Sequence, residues 1–349
     1  MHMPDNEITD EQITALIENI AEDVNESIRQ QLEDDELAAI SEIISYPVST
    51  GGKRLRPTLA ILISQCLGGD YQQTIDMATT CELIHSASTI YDDILDGDIV
   101  RRGKPAAHTL YNAGTAMMGG NVLVLMAVKL GVARGLPITA MLINSASSLT
   151  VGSTEEQLFH DYNEERYYRI IGLKTATLFK GACELGAIMA GAQRPEFMIA
   201  SKYGWNIGML YQLTDDLTDI LLTHKTGEMK GHMKNGTPTL AFIHAHQATT
   251  DPIIEAVMDK FLTDSPLSVP EFNVIYEHLI ETGALRYTLD KIEEYNKACH
   301  KACLQLPASR SRDYLAAMPR FLYRVLMSEV EGFVGLEGVK DEAEPPTEE

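Results

Sequence analysis

Apolar residues recur at intervals of three and four along nearly the whole chain, and clean alternation of apolar and polar residues is missing. Between Met77 and Leu95, for example, the steps alternate between four and three, which is the period of one helix face. We therefore predict an all-α protein, a single large helical bundle in which no pair of strands is required. The predicted helices cover approximately residues 8–45, 57–67, 71–97, 107–131, 138–160, 163–191, 196–223, 237–248, 251–262, 269–282, 284–304 and 311–333.

Glycines and prolines mark boundaries that agree with this pattern, among them Gly51-Gly52, Pro57 and Gly68-Gly69. No linker rich in Pro, Gly or Ser interrupts the chain between Gly51 and Leu240, so we predict one domain over residues 1–336. Residues 337–349 contain six acidic residues and one basic residue, and we predict an acidic, disordered tail there.

The net charge of −22 is unevenly distributed, because residues 1–40 alone hold twelve acids and one base. Without both acidic ends the chain is close to balanced, and no basic patch or aromatic-interleaved basic stretch favours nucleic acid as a partner. The apolar run Val122–Val128 near the middle is far shorter than the ~20 residues that cross a bilayer. We expect no signal peptide before the acidic N-terminus. We predict a soluble, cytoplasmic protein without a membrane span.

The pattern Asp-Asp-x-x-Asp occurs twice, each time inside an apolar stretch of helical period. The two runs are Asp92-Asp93-x-x-Asp96 and Asp215-Asp216-x-x-Asp219. A helix turns about 100° per residue, so the first and last aspartates of each run lie within about 40° of each other. Their apolar neighbours disfavour two solvated acidic surfaces. Clustered carboxylates in such surroundings need cations, and Mg²⁺ shared with a substrate phosphate fits these oxygen ligands.

Short basic motifs between the predicted helices favour an anionic ligand. Residues 51–57 offer three cations at a Gly-flanked helix start, where free backbone N–H groups also favour phosphate. Arg101-Arg102 follows the first aspartate run, Lys174-Thr175 lies in a later helix, and His85 is about 20° from Asp92 on the same face. Alone, each motif is more typical of a solvated surface or a cap, and His85 is equally typical of a core. Together with the aspartates they predict a chamber for diphosphate and Mg²⁺.

These motifs resemble those of the trans-polyprenyl diphosphate synthase family, whose members include farnesyl, geranylgeranyl and longer-chain synthases. The resemblance covers residues 40–245 directly and the remainder by helical pattern. It implies a bundle of the isoprenoid synthase type with a central cavity, and condensation of isopentenyl diphosphate with an allylic prenyl diphosphate. The matching segments, in order, are 51–57, 84–88, 92–96 with 101–103, 174–175, 211–219 and 238–240.

The resemblance also implies a role for each matched residue. Catalysis would depend on Asp92, Asp93, Asp96, Lys174 and Asp215. About three Mg²⁺ ions on the allylic diphosphate would be held by Asp92, Asp96, Asp215, Asp216 and Asp219. The same allylic substrate would be bound by Arg101, Lys174, Thr175 and Gln212, and isopentenyl diphosphate by Lys53, Arg56, His85 and Arg102. Ionisation to an allylic carbocation would then precede attack by the isopentenyl double bond, within apolar walls that exclude water.

The segment after the second aspartate run departs from the family pattern of two Gly-Lys pairs flanking an acidic pair. Thr237 occupies the place of the second lysine, and the loop is shorter. Either Lys225 or Lys230 can substitute for the first lysine, and Lys225 is our candidate for contact with diphosphate. Tyr91 replaces the histidine common before the first run.

Small residues precede the first aspartate run at the positions where bulky aromatics close the product tunnel in this family. These residues are Ala87 and Ser88. They favour a product of C20 or longer, because each added isoprene buries more apolar surface until something blocks the chain. Tyr91, Met117, Met118 and Met126 are alternative residues for the end of the tunnel.

Three other functions remain open from the sequence. A shorter-chain C15 synthase shares every motif, and a terpene cyclase or head-to-head synthase shares the aspartate-rich helices but needs no isopentenyl site. A non-catalytic regulatory subunit of a prenyl synthase is favoured only by the irregular segment 223–237. Apolar helix faces in excess of what one bundle buries predict a homodimer.

Overall fold

A computed structural model of the chain describes residues 8–263 and 267–330. These residues are predominantly helical, which confirms the predicted all-α class. The predicted tail, residues 337–349, lies outside the described residues. The first seven helices are α1 (Asp10–Leu32), α2 (Ser41–Ser49), α3 (Leu55–Cys66), α4 (Tyr71–Leu95), α5 (Ala107–Tyr111), α6 (Ala113–Arg134) and α7 (Leu136–Gln157). The later ones are α8 (Glu164–Ile171), α9 (Thr177–Met189), α10 (Arg194–Thr226), α11 (Gly231–Asn235), α12 (Leu240–Ala248), α13 (Pro252–Phe261), α14 (Val269–Glu281), α15 (Ala284–Cys303) and α16 (Arg310–Met327).

Several predicted helices are interrupted, for local reasons. The predicted helix 8–45 breaks after Leu32 because the Asp34 carboxylate accepts a hydrogen bond from the backbone of Glu36 and begins a 3-10 segment, Asp35–Ile40. Asn112, at φ 66°, separates α5 from α6. The predicted helix 163–191 contains a π-helical turn, Gly172–Ala176, between α8 and α9.

The prediction that the fold needs no pair of strands is wrong for one short hairpin. Strands β1 (Val100–Arg101) and β2 (Lys104–Pro105) pair antiparallel just after the first aspartate run. The two residues that connect them, Arg102 and Gly103, have φ values of 52° and 75°. Positive φ at both positions is what a tight two-residue hairpin connection requires.

The described residues form two compact units. The first comprises residues 8–157, 169–209 and 295–321, and the second comprises residues 158–168, 210–263, 267–294 and 322–330. The single domain expected from the sequence stays a prediction. Each unit carries one of the two aspartate runs.

The first unit is organised around α4, which packs against α1, α3, α6 and α9. Residues on all sides of α4 are buried, as expected for a helix inside a bundle rather than on its surface. Its core contains fully buried side chains from several helices, including Ile61, Cys81, Ala87, Leu123 and Leu142. The C-terminal end of α4, which carries Asp92, therefore emerges from a tightly packed core.

The second unit has a core rich in aromatic residues. Phe242 of α12 and Phe261 of α13 lie with ring centroids 4.6 Å apart, and both are fully buried. Phe272 and Tyr276 of α14 are buried as well. These helices pack on one another and follow the second aspartate run in the chain.

One helix in the described part of the chain, α6, is long and apolar enough to cross a membrane by length and composition. An 18-residue window within it has a mean hydropathy of 1.7, and 33% of that window is buried. A core helix of a soluble protein has the same composition, so this is weak evidence. The absence of a membrane span stays a prediction.

Candidate active site

The first aspartate run lies at the C-terminal end of α4. Asp92 and Asp96 are half-buried, and Asp93 is buried. Burial raises the pKa of Asp92 and raises that of Asp96 to about 6, because desolvation disfavours the ionised carboxylates. Two oxygen donors of this kind, one helical turn apart, favour a bound cation.

Asp93 is paired with an arginine, Arg101. The Arg101 Nε donates a hydrogen bond to its Oδ1 at 2.6 Å, across the turn that leads into β1. Burial raises the pKa of Asp93, and the arginine opposes that shift. The pair ties the hairpin to the end of α4, so Asp93 supports the run through Arg101.

Lys174 supplies positive charge beside Asp92. Its Nζ lies 3.7 Å from Asp92 Oδ1 and also contacts the Glu156 carboxylate of α7, which is only 9% exposed. Burial alone would lower the pKa of Lys174, but Glu156 and Asp92 raise it above its ordinary value. Lys174 is therefore a fixed cation at the aspartate run. Glu156 was not singled out from the sequence, because nothing in its own neighbourhood marks it as different from Glu155.

The π-helical turn presents Lys174 and Thr175. Such turns are rare and are frequent at functional sites. Helix α7 approaches this turn through Gly152, where a Cβ would lie 2.4 Å from the backbone nitrogen of Lys174. Any larger residue there would push the turn away, so the absence of a side chain at Gly152 allows this close approach.

The second aspartate run, on α10, has a similar division of roles. Asp215 and Asp219 are half-buried on one face, whereas Asp216 is only 2% exposed. The Tyr167 hydroxyl and the Gln212 amide donate hydrogen bonds to Asp216 at 2.5 and 2.7 Å. Burial raises the pKa of Asp216, and His232 and these donors oppose the shift. The place of Asp216 among the metal ligands stays a prediction.

His232, which sequence reasoning missed, lies against the second run. Its Nδ1 is 3.1 Å from Asp219 Oδ2 and 3.4 Å from Asp216 Oδ1, and its backbone N–H donates to Asp219 at 3.3 Å. The preceding Gly231 has φ 41°, and a Cβ there would lie 1.9 Å from Asp219 Oδ2. Only glycine permits this approach, and the irregular segment after α10 therefore still contacts the aspartates.

The two candidate lysines of that segment have different surroundings. Lys230 Nζ pairs with Glu228 at 2.5 Å, and its backbone N–H donates to the Thr223 hydroxyl at 3.0 Å. Lys225 is exposed in the last turn of α10. The choice of Lys225 as the diphosphate contact stays a prediction.

The expectation of three ligand-binding cations in residues 51–57 needs one correction. Arg54 is 3% exposed, and its guanidinium donates to Glu82 at 2.5 Å, to Asn25 at 2.9 Å and to the Val48 carbonyl at 2.6 Å. A guanidinium held in this way in the core has a structural role. The sequence could not show this, because Glu82 and Asn25 are distant in the chain.

The other basic residues of the first unit remain candidates. Lys53 is exposed, Arg56 lies over the Phe179 ring at 4.4 Å, and Arg102 donates to the Gly51 carbonyl. Burial, together with Arg56 and Arg102, lowers the pKa of His85 well below its ordinary range. His85 is therefore neutral and can act as a hydrogen-bonding group rather than as a cation.

Comparisons with known proteins give the family of the chain. The polyprenyl synthetase family model matches residues 37–278. The chain belongs to the polyprenyl synthetase family. It is 28% identical over 321 residues to the short chain isoprenyl diphosphate synthase of Methanothermobacter thermautotrophicus, covering 89% of this chain and 98% of the relative. It is also 28% identical over 305 residues to the octaprenyl diphosphate synthase of Escherichia coli, covering 84% of this chain and 92% of the relative.

The fold is that of solved members of the family. The polyprenyl synthase of Caulobacter crescentus, solved with calcium and isoprenyl diphosphate, superposes with a TM-score of 0.81 and 28% identity, covering 92% of this chain and 99% of that one. The predicted isoprenoid-synthase bundle is thereby confirmed. Members of this family are prenyltransferases, the class of enzyme to which the predicted reaction belongs.

The residues present suit a hard divalent cation. Within the described residues, no three His, Cys, Asp or Glu side chains are grouped closely enough to hold an ion by themselves. Magnesium rarely uses such all-protein cages and is usually bound through one or two carboxylates, water and substrate phosphate. Asp92 and Asp96, whose ionised forms are disfavoured by burial, offer two suitable oxygen donors.

Proposed function

We propose that the chain catalyses the Mg²⁺-dependent head-to-tail condensation of isopentenyl diphosphate with an allylic prenyl diphosphate. The observation that carries the proposal is the Lys174 ammonium fixed 3.7 Å from Asp92 by a buried glutamate. A cation and a metal-binding carboxylate side by side are suited to a diphosphate that carries both negative charge and Mg²⁺. Bound Mg²⁺ would supply Lewis acidity to the leaving diphosphate.

The chain's own residues then have distinct tasks. Asp92 and Asp96 would hold Mg²⁺ in the first unit, and Asp215 and Asp219 would do so in the second. Lys174, with Arg101 and Thr175, orients the allylic diphosphate in the first unit, and Gln212 is the corresponding candidate in the second. Lys53, Arg56 and Arg102 bind isopentenyl diphosphate together with neutral His85. No side-chain nucleophile is required: the allylic C–O bond breaks and diphosphate leaves, the isopentenyl double bond attacks the allylic carbon, and the departed diphosphate accepts the proton that is lost.

A turnover assay tests the proposal directly. The purified chain receives labelled isopentenyl diphosphate with dimethylallyl, geranyl or farnesyl diphosphate in turn, with Mg²⁺ or with EDTA. Formation of a prenyl diphosphate in the presence of Mg²⁺ but not in the presence of EDTA supports the proposal. Asp92→Asn should reduce turnover by at least 100-fold, since it removes a charge that acts on the transition state. Asp76→Asn, on an exposed position of the same helix, is the matched control and should leave turnover unchanged.

The same assay separates the alternatives. Diphosphate release that does not need isopentenyl diphosphate would indicate a cyclase or head-to-head synthase. Absence of turnover by the single chain, restored by adding a family member, would indicate a regulatory subunit. Either result would reject the proposed activity.

For the product we propose C20 or longer, with a C15 product as the alternative. Ala87 and Ser88 are both buried in α4, and the Ser88 hydroxyl donates to the His85 carbonyl at 2.8 Å. Tyr91 lies against Gly120 of α6, with its hydroxyl 2.8 Å from Asn121 Oδ1. Small side chains one turn before Asp92 support a longer product, and Tyr91 is the candidate for the end of the tunnel. Chain-length analysis in which growth ends at C15 would reject this.

The homodimer is supported by an apolar stripe on α6. Met118, Leu125 and Val132 are exposed and seven residues apart, which places them on one face of the helix. An exposed apolar stripe of this length is typical of a protein interface. We expect a dimer in sedimentation experiments, a shift toward monomer in Leu125→Glu, and no shift in Glu18→Lys at an exposed position of α1. A monomeric wild-type chain would reject the dimer.

A further inference from the structure

A cavity of about 570 Å³ lies on the first unit, and no residue matched to a family motif is among those that line it. Helices α9, α10 and α15 line it, through Lys180, Met198, Lys202, Trp205, Asn206 and Ala302. Its volume is within the range of pockets that bind small molecules. The ligand that it can bind depends on what these side chains recognise.

One polar group in the wall has no partner. Asn206 is 6% exposed, and its Nδ2 donates to no acceptor within the described residues. Buried amide donors are almost always hydrogen-bonded, because leaving one unsatisfied destabilises the fold. A donor of this kind in a cavity wall is suited to an acceptor oxygen of a ligand.

The two lysines in the cavity wall differ in whether they already form an ion pair within the protein. Lys180 Nζ lies 3.5 Å from Glu184 Oε1, and that carboxylate also accepts a hydrogen bond from Ser201 at 2.7 Å. Lys202, four residues before Asn206, is exposed and forms no ion pair among the residues the structure describes. Positions four apart share a helix face, so Lys202 and Asn206 can bind one anionic group together.

The remainder of the wall is apolar. Trp205 is 36% exposed and Met198 is exposed too, while Ala302 is buried at the α15 side. An indole and a thioether beside a cation and an amide donor are suited to a molecule with an apolar chain and an anionic head.

We propose that this cavity binds an anionic amphiphile, an apolar chain with a phosphate head. The head accepts a hydrogen bond from Asn206 Nδ2 and pairs with Lys202, and the chain packs on Trp205 and Met198. Nothing in the condensation reaction requires such a site, so it is additional to the active site.

Occupancy of the cavity has a direct route to Lys174. A Cβ on Gly172 would lie 2.7 Å from Trp205 Cη2, so the indole packs on the first residue of the π-helical turn. Lys174 is two residues further along this turn. A ligand that moves the indole therefore changes the position of the turn. An effect of the ligand on turnover rests on the proposed condensation activity, whereas binding of the ligand to the cavity does not.

Trp205 is the chain's single tryptophan, so its fluorescence reports on the cavity alone. The probe is dodecyl phosphate, added below its micelle concentration to the full chain in EDTA, which removes metal-dependent binding at the aspartates. We expect a saturable change in emission, at least tenfold weaker affinity in Lys202→Glu and in Asn206→Leu, and unchanged affinity in Lys129→Glu and Lys53→Glu. Asn206→Leu should fold at least as well as the wild type, because it removes an unsatisfied donor.

Parallel titrations with inorganic phosphate and dodecanol should each give much weaker binding if head and chain are both recognised. A saturable signal that Lys202→Glu and Asn206→Leu leave unchanged, or one lost in Lys53→Glu, would overturn the proposal. So would the absence of any saturable signal. If the synthase assay is positive, dodecyl phosphate should also lower the kcat of the wild type but not of Lys202→Glu. An equal effect on both would reject the link to Lys174, while the fluorescence result would stand.

Discussion

Lys174 Nζ lies 3.7 Å from Asp92 Oδ1, although these residues belong to helices far apart in the chain. A lysine that faced the aspartate alone would neutralise it and compete with a metal ion. Glu156 also contacts the ammonium and shares its charge. The aspartate is therefore left able to bind a cation, with Lys174 available to the oxygens of an anionic substrate.

Glu156→Gln tests whether this glutamate positions Lys174. Without the charge on Glu156, the ammonium should move toward Asp92 and compete with Mg²⁺. We expect kcat/KM for the allylic substrate to fall about 10- to 100-fold, as for other residues that orient a metal site. The Mg²⁺ concentration for half-maximal turnover should also rise. The adjacent Glu155, which pairs with exposed Arg169 at 2.8 Å, supplies the control Glu155→Gln. Equal effects of the two variants would contradict the positioning role.

Ser88→Phe tests the proposed control of product length. The added ring would occupy space one turn before Asp92, and we expect a shorter product than that of the wild type. Overpacking this buried position should reduce the free energy of unfolding by about 1–3 kcal/mol. Chain-length analysis of the products provides the measurement, and Gln72→Phe at the exposed start of α4 provides the control. An unchanged product distribution in Ser88→Phe would show that the tunnel does not pass this residue.

Glu82→Gln tests the structural assignment of Arg54. Breaking a buried ion pair leaves an uncompensated charge, which should lower the free energy of unfolding by about 3–5 kcal/mol in urea denaturation. The surface pair Lys129–Asp34, 3.9 Å apart, should contribute less than about 1 kcal/mol when broken by Asp34→Asn. If Glu82→Gln has the same free energy of unfolding as the wild type but a higher KM for isopentenyl diphosphate, Arg54 belongs to the binding site instead.

Glu271→Gln gives a stability difference that depends on pH. Hydrogen bonds from Lys260 Nζ, at 2.7 and 2.9 Å, and from Ser268 lower the pKa of Glu271 to about 2. A folded-state pKa below the unfolded value of 4.5 means that this stabilisation is complete above pH 4.5 and is lost as pH falls toward 2. The difference in free energy of unfolding between the wild type and Glu271→Gln should therefore disappear over that interval. A difference that is constant with pH would contradict the ion pair.

Local patterns were sufficient for the elements that depend on helix periodicity. The three- and four-residue spacing around Met77 and Leu95 predicted α4, and the same geometry placed Asp92 and Asp96 on one face. The interruptions within the predicted helices were predicted less well. The π-helical turn at Gly172–Ala176 and the 3-10 segment at Asp35–Ile40 depend on which neighbours pack against them or on single hydrogen bonds, and hydrophobic spacing does not record either.

The helical class, the two aspartate runs and the basic motifs can be recognised in the amino-acid sequence, because they depend on residue type and on a repeat of a few residues. Which charged groups come into contact depends on the tertiary fold. It buried Arg54 against Glu82, joined Lys174 to Glu156 and placed His232 on Asp219. Such contacts join residues distant in the chain, and their strength depends on burial, which local sequence cannot specify.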